Sequence, residues 1–319
     1  MSDLCTIPVM IRSMRVEAEG VLSLELIRTD GSDLPEWTPG AHVDVAVGDG
    51  LIRQYSLCSD PADTGHYRIA VLREVVGRGG SRHVHDVLRP GDEVVISEPR
   101  NNFEVSDNGK PLILIAGGIG ITPILAMARA AAASGREFHL YYGGRSRASM
   151  AFLDELSELS GRLTVTSDDR EGVLDLDTIL DGTDSGEREV YVCGPGGLLD
   201  AVDKRADDWP AGTFHCERFV ARTIEPPPEG EREFTVRCID SDVEVNVPVG
   251  CTIMEQLEAA GIDVPHSCRE GTCGTCETDI ISGVPDHRDS LLSSEERESG
   301  ETMLLCVSRA KTDVLELEI

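Results

Sequence analysis

The stretch His266–Cys276, "HSCREGTCGTC", decides the fold and the chemistry of the C-terminal part of this chain. It holds Cys268, Cys273 and Cys276 in a C-x4-C-x2-C spacing, and a fourth cysteine, Cys306, follows in "MLLCVS". Thiolates at this spacing can converge on a small anionic core, and the spacing is typical of 2Fe–2S clusters. The glycines between the cysteines let backbone N–H groups approach the sulfurs. The loop is therefore predicted to hold a redox cluster.

Two other roles for these cysteines compete with a cluster. The chain has ten cysteines, but disulfide frameworks are rare in a reducing compartment. A structural zinc site of four thiolates usually combines two short C-x2-C pairs, whereas this chain supplies one. The spacing therefore favours the cluster, and zinc is the alternative.

The composition is that of a strongly acidic globular protein. Lysine and arginine number 29 against 58 acidic residues, a net charge of −29, which argues against a nucleic-acid partner. The N-terminus lacks the apolar run of a signal peptide, so we expect a cytoplasmic protein. The uncharged segment 111–128 contains three glycines and Thr122-Pro123, which predict a strand, a turn and a helix instead of a membrane span. We expect no membrane partner and a monomer.

Three blocks follow one another along the chain. Short β-branched runs separated by turns over 1–106 predict an antiparallel β-barrel or sandwich. Strands alternating with helices over 107–223 predict a parallel sheet of βαβ units. The proline-rich segment 224–231, "IEPPPEGE", is typical of a stiff linker. Block 232–319 begins with two strands and a helix before the cysteine loop. The predicted fold class is thus multidomain, β followed by α/β followed by α+β.

Two glycine-containing turns in the first two blocks predict phosphate sites. "GRGGSRHVHDVL" (77–88) places two glycines and a serine before a helix, whose first amides can bind a phosphate. "LILIAGGIGITP" (112–123) runs from a buried strand into a glycine turn, and we expect Thr122 to be the N-cap and Pro123 the first helical residue. A second strand, Gly-Pro turn and helix follow in "YVCGPGGLLDAV" (191–202). The glycines of "LILIAGGIGITP" do not have the GxGxxG spacing of the common dinucleotide fold.

These motifs carry a resemblance to a known family. The segment from Cys268 to Cys306 resembles a plant-type ferredoxin domain, which has a β-grasp fold. "RQYSLCS" (53–59) with the Gly-Gly-Ser turn resembles the flavin barrel of the ferredoxin-reductase superfamily, and the two later turns resemble its NAD(P) lobe. In this order, over essentially all 319 residues, the chain resembles the phthalate dioxygenase reductase family, which includes vanillate demethylase reductase subunits.

The resemblance implies a set of site residues. The cluster ligands would be Cys268, Cys273, Cys276 and Cys306. Flavin contacts would come from Arg53, Tyr55, Ser56, Ala70, Val71 and Leu72, with its phosphate held by Gly79, Gly80 and Ser81. The nicotinamide nucleotide would lie at Gly117, Gly118, Gly120, Thr122 and Pro123, at Cys193, Gly194 and Pro195, and at Arg145 near the adenine ribose. Ser56, Cys193 and Phe219 would border the reacting atoms.

The resemblance also implies a function. NADH would reduce FMN, and single electrons would pass through the 2Fe–2S cluster to a terminal oxygenase acting on an aromatic or similar small substrate. FAD is the alternative flavin. NADPH is the alternative nucleotide, because no acid ends the strand "FHLYY" and Arg145 or Arg147 could bind a 2′-phosphate. The oxygenase would be a Rieske non-haem iron or a haem-thiolate enzyme. Two other functions stay open, a flavin reductase or diaphorase with a small acceptor and a non-catalytic cluster-binding interaction module.

Overall fold

The computed structural model of the protein describes residues 5–48, 50–159, 162–183, 186–206, 208–222 and 230–319. The chain forms two compact units, one ending at Phe219 and the other running from Val220 to Ile319. Most of the segment 224–231, which is predicted to be a linker, lies outside the described residues. Across the described ranges, none of the helices combines the length and apolar character that a bilayer crossing requires.

The first unit begins with a six-stranded antiparallel sheet. Its strands are β1 (Cys5–Ala18), β2 (Val21–Arg28), β3 (His42–Gly48), β4 (Leu51–Ser56), β5 (Tyr67–Leu72) and β6 (Glu93–Ser97), in the order β4-β3-β6-β1-β2-β5, with helix α1 (Gly80–Asp86) after β5. Buried side chains two positions apart point to one face, as in the pairs Val9 with Ile11 and Leu24 with Leu26. A bridge between Leu57 and Ile69 joins the two edge strands. The sheet therefore closes into the predicted barrel.

A parallel sheet with flanking helices completes the first unit. It consists of β7 (Leu112–Gly117), α2 (Ile121–Ser134), β8 (Phe138–Gly144), α3 (Leu153–Leu156), β9 (Leu163–Ser167), α4 (Leu176–Ile179), β10 (Glu189–Cys193), α5 (Gly196–Ala206) and β11 (Phe214–Glu217). The strand order is β11-β10-β7-β8-β9. The direction of winding therefore reverses between β7 and β10, and such a point is where open α/β sheets bind ligands.

The start of α2 differs from the sequence prediction. The helix begins at Ile121, with Gly120 as its cap residue, so Thr122 is not the N-cap and Pro123 is not the first helical residue. The reason is a 3-10 turn over Gly118–Gly120, which leads directly into the helix. The Thr122 hydroxyl donates to Ile119 O at 3.1 Å instead of capping a free amide. Proline is still tolerated at this place, because amides of the first helical turn have no partner within the helix.

A half-buried ion network ties the barrel to the parallel sheet. Arg68 on β5 forms two hydrogen bonds with Glu155 of α3, at 2.7 and 2.9 Å. Arg129 of α2 also bonds Glu155, and both arginines donate to the backbone oxygen of Cys58. The arginines hold the pKa of Glu155 below its usual value despite the opposing effect of burial. Because each charge is paired and hydrogen-bonded, the network fixes barrel and sheet in one compact unit.

The second unit has a five-stranded mixed sheet and a single core. Its elements are β12 (Phe234–Cys238), β13 (Val243–Val247), α6 (Ile253–Ala259), β14 (Glu277–Ser282), β15 (Pro285–Asp286), α7 (Ser294–Ser299), β16 (Thr302–Leu304), β17 (Arg309–Ala310) and β18 (Val314–Leu317). The sheet order is β13-β12-β18-β14-β16, and β12 and β18 are parallel. Helix α6 starts with a capping box between Thr252 and Glu255 and buries Ile253, Met254 and Leu257 against the sheet.

Candidate functional site

The two glycine turns lie side by side at the point where the parallel sheet reverses its winding. β7 and β10 are neighbouring parallel strands, with Ala116 opposite Cys193 at their carboxyl ends. The turn Gly117–Gly120 follows β7, and the turn Cys193–Pro195 follows β10. The sheet topology therefore brings together two motifs that are more than 70 positions apart in the sequence.

Three of the glycines are required because the two turns pack backbone against backbone. A Cβ atom added at Gly120 would lie 2.3 Å from Cys193 O, and one at Gly194 would lie 2.9 Å from the Gly117 Cα. At Gly117 an added Cβ would meet the Pro195 ring at 2.6 Å. Gly118 differs, since it has a left-handed φ of 54° and open space around it. Gly118 therefore presents the free, close backbone approach that a pyrophosphate needs.

Ser56, Glu217 and Cys193 form a polar group between the barrel and the parallel sheet. Ser56 ends β4 and is buried, and its hydroxyl donates to the Glu217 carboxylate. Glu217 ends β11, where the parallel register places it directly beside Cys193 of β10. The Cys193 Sγ lies 4.0 Å from Glu217 Oε2. Glu217, which the sequence analysis did not single out, therefore connects the two predicted site residues Ser56 and Cys193.

Glu217 has the most informative ionisation behaviour of the three residues. Although the residue keeps some accessible surface, the protein packed around its carboxyl group raises its pKa to about 8, while the Ser56 hydrogen bond acts in the opposite sense. Burial also raises the pKa of Cys193, and the Glu217 carboxyl adds to that rise. Near neutral pH both groups therefore hold their protons. A sequence signal did exist: an acid in "HCERF" ends the strand after the Cys-Gly-Pro turn.

The side chains predicted to lie beside the flavin are divided between two cores. Val71 and Tyr55 pack in the barrel core, whereas Ala70 and Leu72 pack against the core of the parallel sheet. Burial raises the pKa of Tyr55. Phe219, the last residue of the first unit, is 39% exposed. Because side chains alternate along a strand, β5 directs Val71 into the barrel core and Ala70 and Leu72 toward the core of the parallel sheet.

The predicted phosphate turn is shaped around Arg53. Its guanidinium donates to Arg78 O at 3.3 Å, and an added Cβ at Gly80 would lie 2.7 Å from the arginine side chain. Gly79 has a left-handed φ of 89°. The Ser81 hydroxyl accepts a hydrogen bond from Glu74 N at 3.1 Å, which ties the start of α1 to the preceding loop. A cation, two glycines and a hydroxyl thus share one small turn, which suits a phosphate.

The carboxyl end of β8 carries charges of both signs. Arg145 is exposed, and its backbone oxygen accepts from Asp169 N at 3.2 Å. Asp168 N donates to Gly144 O at 2.9 Å. Arg147 lies 3.8 Å from the Glu171 carboxylate. The turn that follows the neighbouring strand β9 thus supplies the acids that the sequence of β8 itself lacks.

The four candidate cluster cysteines converge within the second unit. Their exposed fractions are 8% for Cys268, 3% for Cys273, 2% for Cys276 and 5% for Cys306. The Cys268 side chain interacts with Cys273 and Cys306, and Cys276 interacts with Cys306. Over the described ranges, no three His, Cys, Asp or Glu side chains are arranged to share a single metal ion. Four buried thiols this close together can supply two thiolates to each iron of a 2Fe–2S cluster.

The backbone of the cysteine loop also fits a sulfur cluster. Three residues in it have left-handed φ values, Arg269 at 56°, Gly271 at 72° and Gly274 at 74°, so the loop coils around its sulfurs. Glu270 N donates to Cys268 Sγ at 3.3 Å, and Cys273 Sγ lies 3.3 Å from the Thr275 hydroxyl. Such hydrogen bonds to sulfur are one way in which a protein sets the potential of a cluster.

Comparisons with known proteins agree with this arrangement. Residues 114–204 match a family model described as an oxidoreductase NAD-binding domain, and residues 236–311 match a 2Fe-2S iron-sulfur cluster binding domain. Vanillate O-demethylase oxidoreductase of a Pseudomonas species is 40% identical over 318 residues, covering 98% of this chain and 100% of the relative. Phthalate dioxygenase reductase of Burkholderia cepacia is 40% identical over 314 residues, covering 97% and 96%.

Two solved structures are similar along 98% of this chain. A phthalate dioxygenase reductase, described as a modular structure for electron transfer from pyridine nucleotides to 2Fe-2S, matches with a TM-score of 0.72 at 39% identity over 98% of its own length. An intact type IV self-sufficient cytochrome P450 monooxygenase matches with a TM-score of 0.89 at 39% identity, over 41% of its length. The predicted fold class and cluster are confirmed. This chain belongs to the phthalate dioxygenase reductase family, as an NADH-dependent iron–sulfur flavoprotein of an oxygenase system.

Proposed function

We propose that this chain binds FMN and reduces a separate terminal oxygenase that acts on an aromatic or similar small substrate. The observation that carries the proposal is the presence, in one chain, of a buried four-cysteine loop and the Ser56–Glu217–Cys193 group. The names of the relatives, vanillate O-demethylase oxidoreductase and phthalate dioxygenase reductase, support an aromatic substrate and an oxygenase partner, for which a Rieske non-haem iron enzyme is our first candidate. The similarity to a cytochrome P450 monooxygenase supports a haem-thiolate partner as the second candidate. We expect the protein to be a cytoplasmic monomer.

The flavin is held by the barrel in this proposal. Arg53, Gly79, Gly80 and Ser81 bind its phosphate, because they place a cation, two amides and a hydroxyl in one turn. Tyr55 and the strand Ala70-Val71-Leu72 run beside the ring, and the packing of this strand against the two cores keeps water away from it.

The hydride-transfer site lies at Ser56, Cys193 and Phe219, with Glu217 added. The flavin held by the barrel residues would supply hydride acceptance from NADH and delivery of single electrons to the 2Fe–2S cluster. The Ser56 hydroxyl fixes the Glu217 carboxyl group, and Glu217 in turn lies against the Cys193 sulfur. With a pKa near 8, Glu217 can hold or release a proton at its carboxyl oxygen close to neutral pH. These residues therefore orient the reactants, and Glu217 holds or releases a proton beside them.

The nucleotide lies across the two glycine turns in this proposal. Gly118 gives its pyrophosphate a close approach to the start of α2, and Thr122 and Pro123 shape that first turn. Gly117 and Gly120 hold the turn against Gly194 and Pro195 of the second turn. Arg145 is near the adenine ribose. Asp168 and Asp169 support NADH over NADPH, since their carboxylates disfavour a 2′-phosphate at this edge.

One experiment tests the cofactors of the proposal. The visible spectrum of the purified protein is recorded without air before and after NADH, and the released flavin is identified by chromatography. Flavin bands with a broad 2Fe–2S shoulder, both bleached by NADH, and FMN in the extract are expected. FAD in the extract contradicts the FMN assignment alone. Bleaching by NADPH with kcat/KM equal to that of NADH contradicts the nucleotide assignment.

A second experiment tests the acceptor. Reduction of a Rieske oxygenase and of a cytochrome P450 by the NADH-loaded protein is followed in parallel, with a dye as a small acceptor. Faster reduction of one oxygenase than of the dye supports the proposal. Equal rates with unrelated acceptors identify a diaphorase instead.

A further inference from the structure

A buried histidine and a buried aspartate lie side by side in the second unit. The side chains of His287 and Asp289 are 8% and 0% exposed, and His287 Nδ1 is 3.8 Å from Asp289 Oδ1. Within the described ranges, neither ring nitrogen of His287 makes a hydrogen bond of normal geometry, and the same holds for Asp289 Oδ1. Buried polar atoms of folded proteins are almost always paired, so this pair points to a role beyond packing.

The other oxygen of the Asp289 carboxylate is fully used. Oδ2 accepts hydrogen bonds from Leu291 N at 3.0 Å, from Leu292 N at 2.8 Å and from the Arg297 guanidinium at 3.1 Å. These bonds fix the carboxylate and leave Oδ1 facing the imidazole of His287. A protonated imidazole carries an N–H at each ring nitrogen, so a shift of about 1 Å would turn this contact into a charge-assisted hydrogen bond.

Charged groups of three segments act on the His287 ring. Burial is the largest influence and lowers the pKa of the ring, and Arg297 of α7 and Lys311 after β17 act in the same sense. The Asp289 carboxylate and the Arg297 backbone raise the pKa. The balance leaves the pKa of His287 below its ordinary value, which favours the neutral ring. An additional negative charge nearby favours the protonated ring.

The segment that carries the pair packs against both segments that carry the cluster cysteines. A Cβ added at Gly271, inside the cysteine loop, would lie 3.0 Å from the Asp289 Cα. On the other side, Arg288 N donates to Ser308 Oγ at 3.2 Å, and Ser308 is two positions after Cys306. An electron added to the cluster therefore places negative charge beside the histidine and the aspartate.

We propose that His287 takes up one proton from solvent when the cluster gains one electron, and returns the proton when the electron leaves. The new N–H is donated to Asp289 Oδ1, so the added negative charge is offset within the same core. The only bond formed is the N–H on the ring, and the proton balances the electron one to one. The coupling requires the cluster of this family, but neither a particular flavin nor a particular oxygenase.

The test measures the reduction potential of the cluster against pH. The full protein with its cofactors is titrated with redox mediators between about pH 5 and 9, and the reduced cluster is followed by its electron paramagnetic resonance signal, which distinguishes it from the flavin. Where proton and electron are taken up together, the equilibrium constant for reduction is expected to fall up to about tenfold per pH unit, which is about 59 mV for one electron. H287Q is expected to remove this slope.

Three further variants separate this role from a structural one. H266Q removes the other histidine of residues 220–319 and is expected to keep the slope. K311Q removes an exposed charge that lowers the pKa of His287, so the sloped range is expected to move to higher pH. R237Q is the matched control for K311Q, since Arg237 is a half-exposed cation of β12 that binds Glu244, and it is expected to leave the range in place.

The outcomes decide the proposal in either direction. A potential that stays constant between about pH 5 and 9 overturns it, as does a slope that survives in H287Q or disappears in H266Q. If H287Q does not retain its cluster, K311Q decides alone, and an unmoved range overturns the coupling. Absence of the cluster signal from the unmodified protein instead contradicts the four-cysteine assignment, so the two failures are distinguishable.

Discussion

The cysteine loop of the second unit and the paired glycine turns of the first unit use glycine for different reasons. In the cysteine loop, Gly271 and Gly274 adopt left-handed φ angles so that one short segment can surround its own sulfurs. In the paired turns, Gly120 and Gly194 are needed because two distant segments meet backbone to backbone. The first requirement is local and can be recognised from the spacing of cysteines and glycines in one segment. The second depends on the strand order that brings β7 beside β10, which the residue spacing within either turn does not reveal.

The largest effect is expected from removing one sulfur of the cysteine loop. In C273S the cluster cannot keep its fourth thiolate, so transfer to the oxygenase is expected to be lost while NADH still bleaches the flavin. Visible spectra and iron analysis measure this directly. C251S is the control, since Cys251 lies outside the loop. A C273S protein with a full cluster and normal transfer would show that the four-cysteine assignment is wrong.

The next effect concerns the paired turns. In G120A the new methyl group meets the backbone of Cys193, so the unfolding free energy of the first unit is expected to fall by about 3 kcal/mol. Trp37 and Trp209, the two tryptophans of the chain, both lie in this unit and report its unfolding by fluorescence. G196A is the control, because a Cβ at Gly196 meets nothing within 4 Å. Equal stability of G120A and G196A would contradict the backbone packing.

Per pH unit, a smaller effect is expected from the proton on Glu217. Its native pKa of about 8 lies above its unfolded value, so the native state binds the extra proton between pH 4.5 and 8. The unfolding free energy therefore falls as pH rises through this range, by at most about 1.4 kcal/mol per pH unit. E217Q is expected to remove that slope in the tryptophan signal. A slope that survives in E217Q would assign the proton to another group.

The smallest effect is expected from salt. Residues 232–319 hold 7 basic and 19 acidic residues, a net charge of −12, against −17 for the other 231 residues. We infer that this acidic unit is steered to a basic surface of the oxygenase, so the transfer rate is expected to fall several-fold between low and physiological salt. Reduction of the flavin by NADH serves as the internal control. A transfer rate that does not change with salt removes the steering argument.

The contrast between the two regions also explains what could be predicted from the sequence. The cluster cysteines, the barrel and the parallel sheet follow from spacing and from alternating apolar runs, and the fold class is confirmed. The N-cap at Thr122 was predicted from local preference and is wrong, because the 3-10 turn before it moves the helix start. Glu217 was missed because its importance comes from register beside Cys193 and from a hydrogen bond to a strand of another sheet.

The ion network around Glu155 has a consequence for how this protein can be recombined. Its arginines come from β5 and α2, so a polypeptide cut near residue 106 would leave Arg68 without its carboxylate partner. Loss of one partner of a half-buried ion pair leaves the other charge without a partner in a half-buried position, which destabilises the fold. The natural exchange points for gene fusion or domain grafting therefore lie after Phe219, where the compact unit ends. A new electron carrier is best attached there, with the flavin and nucleotide segments kept as one cassette.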